Sequence, residues 1–322
     1  MGIKTAVFII QSAKDKLWIP NENIPVFYYK RNRRFSYLMP DLPRNTDFLG
    51  LKKLFEKLDR DVIHAHNLEC AWYSYNLGLP TVFDDWEYFL EYYDFKPDPN
   101  ARFSSFPLRL IRNRRAKTIL KKMIRKIPAI VTNKNVKEKY EQLGARKIFV
   151  VPNVPLTFER EYAFENPIIK QPKQITGYVG NMIRDNRSKM RNTKGLTDFW
   201  KEKNLGELYI FQGKNYCAHL DIMRKLREFH FNLLYWKPLK IHRYYLQNKP
   251  FLASVVGVPT IISSSLTATT DLLGEYAIPV QKMEEIPAAI EKAKNHTDLP
   301  LDPKHLWEFY EPEIKKAYQE FK

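Results

Sequence analysis

Asn248 and Lys249 open a short helical pattern, Gly257 and Pro259 close it, and the β-branched run Thr260-Ile261-Ile262 follows at once and delivers Ser263, Ser264 and Ser265. A cation and an amide at the positive end of a helix suit a diphosphate. The closing Gly takes φ > 0, Pro forbids helix continuation, and the apolar run has the composition of an inner parallel strand. The same residues also make an ordinary helix-to-strand turn with solvated polar ends.

A second group sits in the first half of the chain. His66 ends the run Val62-Ile63-His64-Ala65-His66, where a neutral imidazole can hydrogen-bond a substrate hydroxyl or act as a base; a satisfied core histidine is the plainer alternative. Asp84, Asp85 and Glu87 follow the next run, Pro80-Thr81-Val82-Phe83, and suit hydroxyl binding or proton removal, or else a helix cap. The basic cluster Arg184, Arg187, Lys189, Arg191 and Lys194 offers phosphate contacts or a solvated loop. Trp236, in Tyr235-Trp236-Lys237-Pro238, suits stacking on a nucleotide base or core packing, and His242 carries the same pair of readings. Cys70 and Cys217 are far apart with no metal-ligand partners at useful spacing, and no Walker loop, H-E-x-x-H or G-x-G-x-x-G appears, so no metal or cofactor is expected.

Positioning these groups requires strands that alternate with helices. Strand-like runs at Val7 to Ile10, Val62 to His66, Pro80 to Phe83, Ala129 to Thr132 and Ile148 to Val151 make one doubly wound half. Runs at Ile175 to Val179, Leu208 to Phe211, Phe231 to Leu234, Thr260 to Ile262 and Ala277 to Val280 make another. Prolines at 152, 155, 167 and 172 mark a linker between them. The expected organisation is an N-terminal Rossmann-like domain over 1–155, a linker over 156–173, a second such domain over 174–300, and a last helix around Pro303 to Phe321 that packs back on the first domain.

With 322 residues, 44% hydrophobic and 14% aromatic, the chain can bury two cores. A net charge of +17, from 53 basic against 36 acidic residues, attracts phosphate-rich partners: nucleic acid, anionic headgroups or nucleotide ligands. No recognised nucleic-acid motif appears, and the basic run has few interleaved aromatics, which disfavours nucleic acid. Between Asp98 and Glu138 twelve Lys and Arg occur without an acidic residue, and Ala116, Ile119, Leu120, Met123, Ile124 and Ile127 form a helical apolar stripe. Residues 102–127 therefore form a basic amphipathic segment that either seals the first domain or docks on anionic lipid. The apolar run at the N-terminus is too short for a secretory segment and no run reaches membrane-spanning length, so a cytoplasmic protein with at most peripheral membrane contact is expected.

Four stretches carry a family resemblance. Asp61-Val-Ile-His-Ala-His66 resembles "D-V-x-H-x-H", and Leu79-Pro-Thr-Val-Phe-Asp-Asp-Trp-Glu-Tyr88 resembles "G-x-P-x-V-x-D-x-H-E". Ile130-Val-Thr-Asn133 with Val150-Val-Pro-Asn153 is similar to the approach to an interdomain linker, and Gly177-Tyr-Val-Gly180, Lys194-Gly195, Asn248-Lys249 and Gly257-Val-Pro259 to a donor half. In this order they resemble the GT-B glycosyltransferases, and among them the large retaining family that includes mannosyltransferases and sucrose synthases (glycosyltransferase family 4). The resemblance implies two Rossmann-like domains facing each other across a cleft, and metal-independent, retaining transfer of a sugar from a nucleotide-sugar donor to a lipid-linked or glycan acceptor. It implies catalytic roles for His66 and Asp85, donor contacts from Gly180, Asn181, Arg191, Lys194, Trp236, His242, Tyr244, Asn248 and Lys249, and acceptor contacts from Asp84 and Glu87. The family's two glutamates are replaced by Tyr244 and Leu252, as in a subgroup that "H-x-Y… N-K-x-F" resembles, and Gln11-Ser12-Ala13-Lys14 stands where a glycine-rich loop is common. A GT-B-like protein without catalysis, an epimerase-like protein and a basic nucleic-acid-binding protein are the competing expectations.

Overall fold

The computed structural model describes residues 7–11, 26–30, 51–53, 55–56, 61–66, 68–86, 106–168, 173–180, 193–296 and 299–321. The chain divides into two compact units, one formed by Met1–Ile130, Tyr140–Phe149 and Ala317–Lys322, the other by Val131–Lys139 and Val150–Lys316.

In unit 1, β1 (Val7–Gln11) pairs in parallel with β2 (Val26–Lys30). A four-stranded sheet has the order β3 (Ile63–His66), β4 (Thr81–Asp85), β5 (Ala129–Val131), β6 (Ile148–Val150). β3 and β4 are parallel, joined through α1 (Leu68–Asn76). The basic amphipathic segment folds as α2 (Phe106–Ile124), and its stripe from Ala116 to Ile127 is buried. The stripe therefore seals the core, while Lys117, Lys121 and Lys122 remain exposed. α3 (Lys134–Gln142) starts at Asn133, whose Oδ1 accepts from Val136 N at 3.1 Å, a side-chain cap on an otherwise orphan donor.

Unit 2 is built on a five-stranded sheet of order β11 (Ala277–Val280), β10 (Thr260–Ser263), β9 (Phe231–Leu234), β7 (Ile175–Tyr178), β8 (Glu207–Ile210), with every neighbouring pair parallel. β9 and β10 are buried along their whole length, as strands covered on both faces must be, which explains their mostly apolar sequence; the buried Asn232 of β9 donates to Thr260 Oγ1 of β10 at 3.2 Å. From β7 the chain winds one way to β8 and the other way to β9, so the carboxyl ends of β7 and β9 border the switch point where such sheets form their crevice.

Two expectations need correction. The proline-rich stretch contains α4 (Thr157–Phe164), started where Leu156 N donates to Glu159 Oε2 at 2.7 Å. Pro152 and Pro155 precede it and Pro167 follows it, so the prolines bracket a helix instead of preventing one. The remaining helices of unit 2 are α5 (Leu196–Glu202), α6 (His219–Leu226), α7 (Lys249–Ser254), α8 (Thr267–Leu273) and α9 (Ile286–Ala293). The single C-terminal helix expected from Pro303 is two 3-10 turns, Pro303–His305 and Trp307–Tyr310, before α10 (Glu311–Gln319). Pro312 carries no N–H to donate into a preceding turn, so the α-helix starts afresh beside it.

Candidate functional site

The strand pair β3 and β4 places His64, His66 and Asp84 together. His66 and Asp84 are direct partners in the parallel register, and residues two apart share a face, so His64 joins them. Asp84 Oδ2 lies 2.9 Å from His64 Nε2 and 2.8 Å from His66 Nδ1, and His64 Nδ1 lies 2.7 Å from the Tyr318 hydroxyl. Burial opposes ionisation of Asp84, yet the hydrogen bonds from His64 and His66 outweigh it and hold its pKa down at about 2. The hydrogen bond to Asp84 raises the pKa of His66, whose side chain is 67% exposed. An ionised carboxylate thus holds an accessible imidazole ready to take a proton or to grip a hydroxyl.

Asp85, one residue on, points to the other face and is fully buried, hydrogen-bonded by the Tyr140 hydroxyl. Strand alternation therefore separates the two aspartates, and the catalytic role expected of Asp85 falls on a residue enclosed in unit 1. Glu87 lies outside the described residues, as do Asn181 and Arg191.

In unit 2 the switch-point end of the sheet carries the expected donor residues. Gly180 follows β7 with φ +137°, and a Cβ there would lie 2.5 Å from Lys249 Nζ, so the ammonium packs against bare backbone. The positive φ favours glycine, and any side chain there would push the end of Lys249 aside. Asn248 immediately precedes α7 and makes no side-chain cap. α7 spans six residues and closes at Gly257, φ +79°, whose N–H donates to Ser254 O at 3.0 Å. Lys194 is exposed on the turn before Gly195, which leads α5 with φ +83°.

The loop from β9 to α7 is pinned from several sides. Trp236 N donates to Ser263 Oγ at 2.8 Å, and Ser263 Oγ donates to Trp236 O at 2.6 Å. Trp236 is 3% exposed, with its ring 5.5 Å from His242 and 6.4 Å from Tyr245. It meets these rings edge-on inside the protein, which corrects the expectation of an open ring face for a base. His242 is fully buried, and its Nδ1 accepts from Leu239 N at 3.3 Å and lies 3.0 Å from Ser265 Oγ, so it braces the loop. Tyr244 lies under the Arg243 guanidinium, which is 4.6 Å from its ring. Asn133 Nδ2 donates to Tyr244 O at 2.8 Å, and Asn135 Nδ2 to Arg243 O at 2.6 Å. Leu252, the other position where the resembled family has a glutamate, is 4% exposed within an apolar cluster with Phe211, Phe229 and Val258.

His64, Tyr318, Asn133 and Asn135 were not singled out from the sequence. His64 alone had a local signal, its two-residue spacing from His66 on a strand; the others depend on long-range contacts.

No protein-family model matches the sequence, and none of the curated proteins is significantly similar to it. Solved structures are similar in fold. An Escherichia coli structure described as trehalose-6-phosphate bound with UDP-2-fluoro glucose aligns over 98% of this chain and 88% of its own, with 11% identity and a TM-score of 0.53. An α,α-trehalose-phosphate synthase (UDP-forming) from Burkholderia vietnamiensis aligns over 91% and 77%, with 11% identity and a TM-score of 0.52. The N-terminal domain of a Candida albicans trehalose-6-phosphate phosphatase aligns over 93% and 80%, with 11% identity and a TM-score of 0.51. These likenesses and the parallel sheets make the fold GT-B.

Proposed function

We propose that this chain is a glycosyltransferase that moves a sugar from a nucleotide-sugar donor to a lipid-linked or glycan acceptor, with retention. The observation that carries the reading is the Lys249 ammonium set against Gly180 at the switch-point end of the unit 2 sheet. A departing nucleoside diphosphate gains negative charge as the glycosidic bond breaks, and a fixed ammonium at a crevice bordered by backbone stabilises that charge without a metal ion on the phosphates. Lys194 supplies a second cation. The E. coli structure of similar fold is described as holding UDP-2-fluoro glucose, so uridine nucleotides are the first donors to try. In unit 1, His66 oriented by Asp84 is the group we assign to the acceptor hydroxyl. Tyr244 and Leu252, at the positions where the resembled family has glutamates, support a kinship with a subgroup that lacks that pair.

Thermal unfolding against a panel of nucleotide sugars and nucleoside diphosphates tests the donor assignment. A ligand at a hundred times its Kd adds about 2.7 kcal/mol, so one nucleotide family should raise Tm clearly. No shift with any of them, in a folded sample, overturns it. The buried Leu252 favours a second reading, a GT-B protein that binds a donor without turnover. Slow hydrolysis of the bound donor separates the two, because a transferase leaks sugar to water and a binding protein does not.

Among the described residues no helix is long and apolar enough to cross a membrane. The exposed lysines of α2 support cytoplasmic-face docking on anionic lipid by charge alone, at about 1 kcal/mol per residue near the surface. Cosedimentation of Lys121→Glu/Lys122→Glu with phosphatidylserine vesicles should fall well below wild type; equal binding removes the membrane assignment.

A further inference from the structure

The cluster on β3 and β4 has a chemistry beyond hydroxyl recognition. We infer that His64 Nε2, His66 Nδ1 and Asp84 Oδ2 form a three-ligand site for a divalent transition-metal ion of the zinc class.

Among the described residues these three offer donor atoms that all lie within 4.8 Å of one another. They stand on adjacent parallel strands in fixed register, so the backbone holds the set rigidly, as a metal site requires. Two imidazoles with one carboxylate match zinc, cobalt or nickel, whereas calcium and magnesium prefer oxygen ligands throughout. His64 is oriented from behind by the Tyr318 hydroxyl at Nδ1, the outer hydrogen bond that ligating imidazoles ordinarily have.

The present separations of 2.8 and 2.9 Å are those of hydrogen bonds. Tetrahedral coordination with metal bonds near 2.0–2.1 Å sets donor atoms about 3.3 Å apart, so each imidazole nitrogen must move away from Asp84 Oδ2 by a few tenths of an ångström. His66, largely in solvent, is free to swing by that amount. The ion would replace the protons that the imidazoles share with Asp84, so binding releases protons and weakens in acid. Three protein ligands at an exposed strand end leave the remaining position to water or another oxygen ligand. Ligands and Tyr318 all belong to unit 1, so the site is independent of the donor assignment in unit 2.

Cobalt(II) titration of the chelator-treated, dialysed chain tests this without any nucleotide or sugar. One cobalt per chain should bind with the strong visible bands of a low-coordinate ion, and added zinc should erase them. His66→Ala and Asp84→Asn should lose the bands, and Tyr318→Phe should weaken affinity about ten-fold. His219→Gln, a paired histidine elsewhere in the chain, should bind as wild type. His66→Cys keeps a ligand and should add a sulfur-to-cobalt charge-transfer band, which guards against loss of binding through misfolding. No bands in the wild type, or wild-type binding by His66→Ala, overturns the site.

Discussion

His64 and His66 of unit 1 differ from His242 and His305 of unit 2 in partner and in access. In unit 1, His64 and His66 share one ionised carboxylate, and His66 stands in solvent. In unit 2, His242 and His305 are fully buried; His242 accepts from a backbone N–H and meets a neutral hydroxyl, and His305 Nε2 donates to Leu272 O at 3.0 Å. A carboxylate partner and access suit an imidazole to proton transfer, whereas full burial under a loop suits it to bracing. At these four positions the same residue type builds the candidate chemistry on β3 and serves as a buried brace in unit 2. In unit 2 the candidate chemistry rests on a lysine, Lys249, packed against Gly180.

The harshest way to break this contrast is to put a carboxylate where unit 2 has only apolar packing. Leu252→Glu buries an unpaired charge, and urea unfolding should show a loss on the order of 3–5 kcal/mol or no folded protein. A mild effect would mean that the position opens to water and can still serve as the family's glutamate does. Next, His242→Ala should cost about 2–4 kcal/mol, from lost bonds to buried partners and the cavity left, while His66→Ala, which removes one hydrogen bond to Asp84 and leaves no cavity, should cost about 1 kcal/mol. Equal losses would erase the distinction between brace and reactive group. Lys249→Ala should weaken donor binding by roughly 1.5–3 kcal/mol, measured by titration calorimetry, with the exposed Lys194→Ala at the low end of that range. Unchanged affinity in both would sink the phosphate assignment.

The smallest effect is a difference in pH response. Burial lowers the pKa of His305, between the rings of Phe251 and Tyr276 at 5.5 and 5.4 Å, so it stays neutral where an unfolded histidine takes up a proton. Its stabilising share is present above the unfolded value near 6.5 and is lost as pH falls from there through the folded value, by at most about 1.4 kcal/mol per pH unit. His66 has the opposite sign, because the hydrogen bond to Asp84 raises its pKa: its share is full below 6.5 and is lost as pH rises through the folded value. Unfolding of wild type and His305→Gln between pH 7 and pH 5 should differ in slope, with the variant flatter. Parallel slopes would show that His305 gains no protection from burial.

The sheet of unit 2 was legible because its strands are short, mostly apolar and β-branched or aromatic runs closed by turn residues, and inner parallel strands favour such composition. β2 was not legible: Pro25 precedes it, charged residues follow it, and only pairing with β1 makes Val26–Lys30 a strand. α4 was hidden because prolines before a helix look the same in sequence as prolines in a linker. In the site, sequence put Asp84 and Asp85 on an equal footing. Their separation depends on the pairing of His66 with Asp84, which no local pattern contains. Gly180 and Lys249 were both anticipated, but their contact joins residues far apart in the chain and appears only in three dimensions.

Ser263 carries one more consequence. Its hydroxyl accepts the Trp236 N–H and donates to the Trp236 carbonyl, so a side chain completes a rung that the ladder between β9 and β10 does not contain. The Trp236 amide should therefore exchange with deuterium as slowly as an interior strand amide, although it lies beyond the end of its strand. The loop toward His242 is then released only when that rung opens, and the openings timed at this single amide set how often the segment leading to Lys249 can reshape.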